Sequence, residues 1–456
     1  MHVEELDRNY LFHPMTNLAA HAENGPHMTI VKGKGATVTD RTGRDYLDAM
    51  AGLWCVNVGY SHPEMAEALR EQALTLPYFH AFSSMGTDLP ARLSERLIAM
   101  APVPMSKVFF GNSGSDANDT QAKLVWYYNN VLGRPQKKKI IARRRGYHGV
   151  TVLSGGLTGL KNLHDGFDLP LPMIRHVRPP HRLWEREPGQ TDDEFATALA
   201  TELDRFIVNE GPETVAAMIA EPVMAAGGVI VPPDTYFPKI QEVLDKYDVL
   251  LIADEVVNGF GRLGVPFGSD SVNMRPDLMT VAKGITSAYV PLSAVLVNEK
   301  VWEVLLAGSA KYGSFGHGYT YSAHPLAAAA AMTNLDIIER DGLIAQVAEN
   351  GTLLHELLHD AFADHPHVGE IRGRGLMAAV EFVDSREPLR AFASQGAFAG
   401  AVTRGALAEG VITRALPAAD TVSFSPPFIT TPDELSRMVA GVRAGLDRAV
   451  AEMRDA

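Results

Sequence analysis

Short apolar runs alternate with amphipathic stretches over residues 107–297, and this pattern predicts the main sheet of the protein. The predicted strands are residues 107–110, 139–142, 216–221, 249–254, 278–282 and 294–297. The run 249–254 is apolar until its final acidic residue, which is typical of a strand buried on both faces. Because strands that alternate with helices are joined by crossovers, we predict an α/β fold with a mostly parallel sheet.

The regions on either side of this alternation show other patterns. Residues 29–47 alternate apolar and polar side chains around glycine turns, which predicts a small antiparallel meander. Residues 7–25 are mixed in character and rich in histidine, and we predict an irregular arm there. Further helices are predicted after a capping Ser61, from Asp88, over residues 120–128, from Pro325, through His355 and over residues 432–453. Further strands are predicted at residues 377–382, 410–415 and 421–425. A glycine turn is predicted at residues 372–375.

These patterns predict more than one domain, as the length of 456 residues also suggests. Residues 1–60 are predicted to form the arm and part of a small domain. Residues 61–330 are predicted to form a large domain around the main sheet. Residues 331–456 complete the small domain, an α+β lobe built from both ends of the chain.

Composition narrows the classes of partner. Lys and Arg number 41 against 54 Asp and Glu, a net charge of −13, which argues against nucleic acid or an anionic membrane as a partner. A single cysteine, Cys55, excludes an intrachain disulfide and a cysteine metal centre. The first residues lack the basic and apolar regions of a signal peptide, and no apolar run is long enough to span a membrane. We therefore expect a cytoplasmic protein.

Two residues carry the candidate chemistry. Asp254 ends a predicted buried strand, the place where open α/β sheets bind ligands. Lys283 follows an apolar run, and apolar surroundings push a lysine towards its neutral, nucleophilic form. A nucleophilic amine and a buried anion are what pyridoxal phosphate requires for its aldehyde and its ring nitrogen. Taken singly, each residue is more often a surface lysine or a turn cap.

Three other segments support such a site. Ser113, Gly114 and Ser115 stand between a predicted strand and a helix, which suits a phosphate cup, although such a segment on its own is more often a plain capped turn. Tyr147 and His148 lie between glycines after another strand, where they could stack on a flat ring or simply be surface aromatics. Glu221 is a further candidate, because it is a second carboxylate at the end of a predicted strand. Arg414 is a cation in an apolar predicted strand, and it could bind a carboxylate or form a surface salt bridge.

Two other motifs suggest different functions. Residues 259–264 fit G-x-G-x-x-G, but the proline and glycine that follow exclude the helix that a dinucleotide site needs. His355 and His359 fit the zinc-peptidase pattern H-E-x-x-H, with His365, His367 and Glu370 downstream. A leucine-rich helix produces this pattern easily by chance. A zinc hydrolase is the rival prediction.

Together, the motifs resemble the class III pyridoxal-phosphate-dependent aminotransferases, and most of all their omega-amine:pyruvate group. The likeness runs from about Pro14 into the last helix and rests on GLWCVN at 52–57, NSGS at 112–115, GYHG at 146–149, AEPV at 220–223, ADEV at 253–256, AKG at 282–284 and TYS at 320–322. It implies a fold-type-I transferase with a seven-stranded, mostly parallel sheet. It also implies a homodimer with shared active sites, and leaves open whether dimers pair into tetramers.

The resemblance implies specific roles. Lys283 would hold the cofactor aldehyde, Asp254 the ring nitrogen, and Tyr147 one ring face, and these three are the predicted catalytic residues. The predicted cofactor contacts are Ser113, Gly114, Ser115, Tyr147, His148, Glu221, Asp254, Val256, Lys283 and, from the partner subunit, Thr320. The predicted substrate contacts are Leu53, Trp54, Phe82, Val150, Ala226 and the mobile Arg414.

The implied activity moves an amino group from an amine or omega-amino acid to pyruvate or a similar keto acid by a ping-pong mechanism. No metal is expected. The donor stays open among beta-alanine, taurine, diamines and aralkyl amines. The alternatives are the zinc hydrolase and a class III relative that racemises or decarboxylates.

Overall fold

The structure, a computed structural model, describes residues 2–455. Its strands form where short, β-branched runs are bounded by polar or glycine residues. In chain order they are β1 (Ile30–Lys34), β2 (Thr37–Asp40), β3 (Asp45–Asp48), β4 (Lys107–Gly111), β5 (Lys139–Arg143), β6 (Ile174–Val177), β7 (Val215–Ala220), β8 (Leu250–Asp254), β9 (Leu278–Val281), β10 (Ser293–Val297), β11 (Val368–Arg374), β12 (Met377–Phe382), β13 (Ser385–Arg386), β14 (Leu389–Arg390), β15 (Val411–Ile412), β16 (Arg414–Ala415) and β17 (Thr421–Phe424).

The helices alternate with these strands through the middle of the chain. They are α1 (Val3–Tyr10), α2 (Leu18–Asn24), α3 (Ala51–Trp54), α4 (Pro63–Thr75), α5 (Asp88–Met100), α6 (Gly114–Val131), α7 (Val152–Leu157), α8 (Arg182–Glu185), α9 (Asp192–Glu210), α10 (Tyr236–Lys246), α11 (Gly268–Ser271), α12 (Glu299–Tyr312), α13 (Pro325–Arg340), α14 (Leu343–Phe362), α15 (Ala397–Ala408) and α16 (Pro432–Asp455). Short 3₁₀ turns lie at Phe82–Ser84, Lys161–Leu163 and Lys283–Ile285. Among residues 2–455, no helix is both long and apolar enough to span a bilayer.

The main sheet has seven strands in the order β4-β10-β9-β8-β7-β5-β6. Only β10 runs against its neighbours, so the other strands all end at the same edge. The mostly parallel α/β sheet and its seven strands are thus confirmed. The sequence missed β6, because its four residues include Arg175 and His176 and lack a continuous apolar run.

Helices cover both faces of this sheet, which explains its unbroken apolar strands. Along β8, Leu251 and Ala253 pack into the cluster on one face, whereas Leu250 and Ile252 pack into the cluster on the other. All five residues of β8 are buried. The carboxylate that ends β8 is therefore carried into the interior by the apolar residues that precede it.

A smaller lobe is built from both ends of the chain. The meander β1-β2-β3 is extended by β15, and a second sheet has the order β11-β12-β17-β16. One apolar cluster joins Leu47 near the N-terminus to Phe424 and Leu446 near the C-terminus. The domain limits after residues 60 and 330 stay a prediction.

Several local predictions were wrong. The arm is not irregular: α1 and α2 form there, and Asn17 caps α2 by accepting from the Ala20 N–H at 3.1 Å. Ser61 caps no helix, because its hydroxyl donates to the Gly33 carbonyl instead and His62 takes the cap position. The glycine turn at 372–375 is mostly strand, since β11 extends to Arg374 and pairs with β12.

Two further predicted elements differ in extent. The helix predicted over 120–128 begins earlier, because Ser113 caps α6 at Gly114. The strand predicted over 410–415 is divided into β15 and β16, which pair in different sheets.

A buried ionic cluster joins the small lobe to the large one. Glu381 on β12 lies 2.6 Å from the Arg372 guanidinium and 3.1 Å from Nε2 of His181, and it accepts from the Trp184 indole at 2.6 Å. Burial by itself would raise the pKa of Glu381, but Arg372, His181 and Arg145 outweigh it and hold the pKa below its usual range. The cluster therefore keeps a charged carboxylate inside the protein.

We predict that Glu381→Gln lowers the free energy of unfolding by about 3 kcal/mol at pH 7, because it leaves a buried arginine with too little negative charge. The folded pKa lies below the unfolded value of about 4.3, so the contribution of Glu381 is present above that pH and is lost as pH falls. Thermal midpoints of the two proteins should therefore converge in acid. Glu339→Gln, which alters an exposed pair with Arg96, is the control. The prediction is contradicted if the thermal midpoints of the wild type and the Glu381 variant are the same at pH 7, or if they differ by the same amount at every pH.

Candidate active site

A cavity of about 340 Å³ lies at the edge where the parallel strands end. Open α/β sheets bind their ligands at this edge. Every predicted cofactor residue except Thr320 lines the cavity, namely Ser113, Gly114, Ser115, Tyr147, His148, Glu221, Asp254, Val256 and Lys283. Residues far apart in the chain are thus brought together in one place.

Asp254 is buried at the floor of this site, and three hydrogen bonds hold its carboxylate. Its Oδ2 accepts from the Asn118 side chain and from Nδ1 of His148, both at 2.8 Å. Its Oδ1 accepts only from the Val256 N–H, at 3.1 Å. A carboxylate oxygen accepts more than one hydrogen bond, so Oδ1 has capacity for a donor in the cavity.

Lys283 follows β9 and enters the cavity from the same edge. Its φ is +45°, a conformation that costs a non-glycine residue about 1–3 kcal/mol and that clusters at functional sites. Burial lowers the pKa of Lys283, although the charges of Cys55, Asp254 and Glu221 oppose this. More of its amine is therefore neutral than in an exposed lysine.

The N-terminus of α6 forms one wall. Ser113 caps the helix by accepting from the Asp116 N–H at 3.2 Å, and Asp116 in return accepts from the Ser113 N–H at 3.0 Å. The first N–H groups of any helix lack an intrahelical acceptor, which favours an anion at this end. A Cβ on Gly114 would come within 3.0 Å of Val256, so a side chain there would close the cup.

Tyr147 and Glu221 lie next to each other in the site. Glu221 is buried, and it accepts from the Tyr147 N–H at 3.1 Å and from the Ala225 N–H at 2.9 Å. Burial raises the pKa of Glu221 and also that of the Tyr147 hydroxyl. The carboxylate thus fixes the backbone that presents the tyrosine ring to the cavity.

An apolar cluster containing Trp54 and Ala226 packs against Tyr147. The guanidinium carbon of Arg414 lies 5.4 Å from the centre of the Trp54 ring. Among residues 2–455, no carboxylate lies within 4.0 Å of the Arg414 guanidinium nitrogens. Within the described residues, Arg414 therefore does not form the salt bridge that was the alternative prediction.

The other predicted contacts lie on the surface of the chain. Leu53, Phe82 and Val150 are about half exposed, and Thr320 is exposed as well. The Tyr78 hydroxyl donates to the Thr320 carbonyl at 2.6 Å, and Phe82 packs beside Gly318. Their predicted roles are not tested within one chain and stay predictions.

Sequence reasoning missed Asn118, Cys55 and Thr286, which also line the cavity. Asn118 could have been found, because it stands four residues after Gly114 on α6 and so faces the same side. The Asn118 side chain also donates to the His148 carbonyl at 2.7 Å. Nothing in the sequence pointed to Cys55 or Thr286 except that Cys55 lies within the motif at 52–57 and Thr286 lies just after the motif at 282–284.

The rival motifs do not assemble sites. His355 and His359 lie on α14, and neither belongs to a group of three close metal-ligating side chains among residues 2–455. After residues 259–264 the chain forms turns before the four-residue α11, as expected for a segment that binds no dinucleotide.

The residues present fit pyridoxal phosphate. The cavity offers an amine for its aldehyde, a carboxylate oxygen with spare capacity for its ring nitrogen, and a helix N-terminus kept open by glycine for its phosphate. This site, at the edge of a seven-stranded mixed sheet, is that of a pyridoxal-phosphate-dependent transferase of fold type I.

Comparison with known proteins identifies the family. The family described as "Aminotransferase class-III" matches residues 18–445. The diaminobutyrate–2-oxoglutarate transaminase of Halomonas elongata is 50% identical, over 99% of this chain and 96% of that protein. The vanillin aminotransferase of Capsicum frutescens is 48% identical, over 90% of this chain and 89% of that protein. The omega transaminase of Pseudomonas jessenii in complex with PMP has a TM-score of 0.97 and 47% identity, with 99% of both chains covered.

This chain therefore belongs to the class III aminotransferases and is a pyridoxal-phosphate-dependent enzyme.

Proposed function

We propose that this aminotransferase moves an amino group from an amine or omega-amino acid to pyruvate or a similar keto acid. The observation that carries the proposal is Arg414, whose guanidinium has no acidic partner among residues 2–455 and lies over Trp54, a member of the apolar cluster that packs against Tyr147. A cation free to bind a carboxylate suits a keto acid, and the apolar surface around it suits a donor without one.

Lys283 has two tasks in the proposed reaction. When bound, pyridoxal phosphate supplies an aldehyde that condenses with amines and a ring that accepts the electron pair released at the substrate carbon. The Lys283 amine would hold that aldehyde in the absence of a donor. Nζ of Lys283 would then serve as the base that moves the proton from the donor carbon, and the burial that lowers its pKa favours the neutral form that a base requires.

Asp254 sustains this chemistry through its charge. Its carboxylate would favour a proton on the ring nitrogen, which would keep the ring able to accept electrons. His148 and Asn118 orient the carboxylate through Oδ2, which leaves Oδ1 with capacity for another donor. Tyr147 and Val256 would hold the two ring faces, and the segment of Ser113, Gly114 and Ser115 would bind the phosphate.

In this proposal, a second copy of the chain completes the active site. Phe82 is about half exposed and Thr320 is exposed, and they lie on neighbouring segments of one surface. Phe79 and Met85, which flank Phe82 along the chain, are also exposed apolar residues, as is typical of an interface. We propose a homodimer in which Thr320 reaches the phosphate of the partner subunit's site. A cytoplasmic location is also proposed, since a single cysteine suits a reducing compartment.

We expect alanine to form from pyruvate with at least one donor among beta-alanine, taurine, putrescine and an aralkyl amine. Each donor half-reaction ends before the acceptor enters, so initial-velocity lines at several pyruvate concentrations should run parallel. The same panel with 2-oxoglutarate is the comparison, because one relative is named for that acceptor. Intersecting lines, or transfer to 2-oxoglutarate alone, would contradict the proposal.

Lys283→Ala should abolish transamination and covalent attachment of the coenzyme while leaving the phosphate cup intact. After borohydride treatment, mass spectrometry should find the coenzyme on the wild-type chain and not on the variant. Lys161→Ala, at an exposed lysine, is the matched control and should behave as wild type. Turnover at the wild-type rate in the Lys283 variant would show that another residue is the base.

Arg414→Ala should lower kcat/KM for pyruvate roughly 10- to 100-fold, the effect of losing a charged hydrogen bond of about 1.5–3 kcal/mol. The half-reaction with a plain aralkyl amine, followed by coenzyme absorbance, should change much less. Arg92→Ala, at an exposed arginine paired with Asp88, is the control. Equal losses with both substrates would reject the role of Arg414 in carboxylate binding.

A further inference from the structure

The N-terminal arm brings three metal-ligating side chains together. Asp7 lies on α1, His13 follows it, and His21 lies on α2. A ligand atom of each residue lies within 4.8 Å of one from each of the others. This group lies outside the cavity described above, and none of its members has a role in the proposed reaction.

The distances in this group suit a tetrahedral ion. Nε2 of His13 lies 2.9 Å from Oδ1 of Asp7, and Nε2 of His21 lies 3.4 Å from the same oxygen. Zinc bonds of about 2.0–2.1 Å at tetrahedral angles place neighbouring ligand atoms about 3.3 Å apart. The two observed separations lie on either side of that value.

His21 also has an unused ring nitrogen. Its Nε2 atom is buried and makes no hydrogen bond within residues 2–455, although it lies near the Asp7 carboxylate. The side chains of His21, Asp7 and His13 are 11%, 20% and 30% exposed, so a water molecule could complete the coordination. Two imidazoles, one carboxylate and one open position form a ligand set that zinc favours.

One other group of three close metal-ligating side chains is present among the described residues, but arginine already neutralises its carboxylates. His181, Glu370 and Glu381 lie near one another, but Arg372 lies 2.7 Å from Glu370 and 2.6 Å from Glu381. A guanidinium already neutralises those carboxylates. Arginine and lysine make no such contact with Asp7 within the structure.

We propose that Asp7, His13 and His21 bind one Zn²⁺ ion per chain. The ion joins α1, the segment after it and α2, and it replaces the proton that Nε2 of His13 shares with Asp7. The ion pair of Glu4 with Arg41, between the arm and the meander, is about half exposed and contributes little. Zinc therefore adds a link between α1 and α2.

The test uses untagged holoenzyme, treated with a chelator and then titrated with zinc sulfate alone. Calorimetry and metal analysis should find one Zn²⁺ per chain, and zinc should protect the arm from limited proteolysis because ligands stabilise the state that binds them. The His13→Ala, His21→Ala double variant should lose stoichiometric binding and this protection. Asp7→Asn, which keeps the size of the side chain, should do the same if the double variant misfolds.

The His355→Ala, His359→Ala double variant is the matched control, since it removes two histidines of the H-E-x-x-H pattern on α14. It should keep the full stoichiometry. The proposal is overturned if the wild-type protein binds no zinc, if the arm variants bind as much as the wild type, or if only the α14 variant loses the ion.

Discussion

The hydrogen-bonded carboxylate of Asp254 is the interaction on which the rest of the site depends. A buried anion is costly unless donors surround it. Those donors come from three elements: Asn118 on α6, His148 after β5, and the Val256 N–H after β8 itself. Stabilising one charge therefore fixes the helix whose N-terminus lines the cavity and the loop that presents Tyr147.

Backbone strain accompanies this order at Lys283. Its left-handed φ would be unfavourable in a loop free to relax, yet the residues around it are buried and the apolar strand β9 precedes it. The Asn334 side chain also donates to the Gly284 carbonyl at 2.8 Å, which holds the turn in place. Rigid packing thus keeps the amine in a buried position where its pKa is lowered.

The sequence predicted those parts of the fold whose signal is local. An unbroken apolar run identified β8, and spacing along the chain placed Asp254 at the edge of the sheet. The short strand β6 and the glycine-rich β11 were missed, because pairing with neighbours overrode their polar or turn-like residues. Asn118 was missed for a similar reason, since its role depends on partners distant in the chain.

Arginine side chains link the small lobe and the Tyr147 loop to the backbone that follows Ala226. The Arg372 guanidinium on β11 donates to the Gly228 carbonyl at 2.8 Å, and Arg145 donates to the Gly227 carbonyl at 3.0 Å. These carbonyls directly follow Ala226, which packs in the cluster beside Tyr147. Because Arg145 also precedes the Tyr147 loop, one ionic cluster positions two walls of the site. The position of the apolar cluster beside Tyr147 therefore depends on how the two lobes pack together.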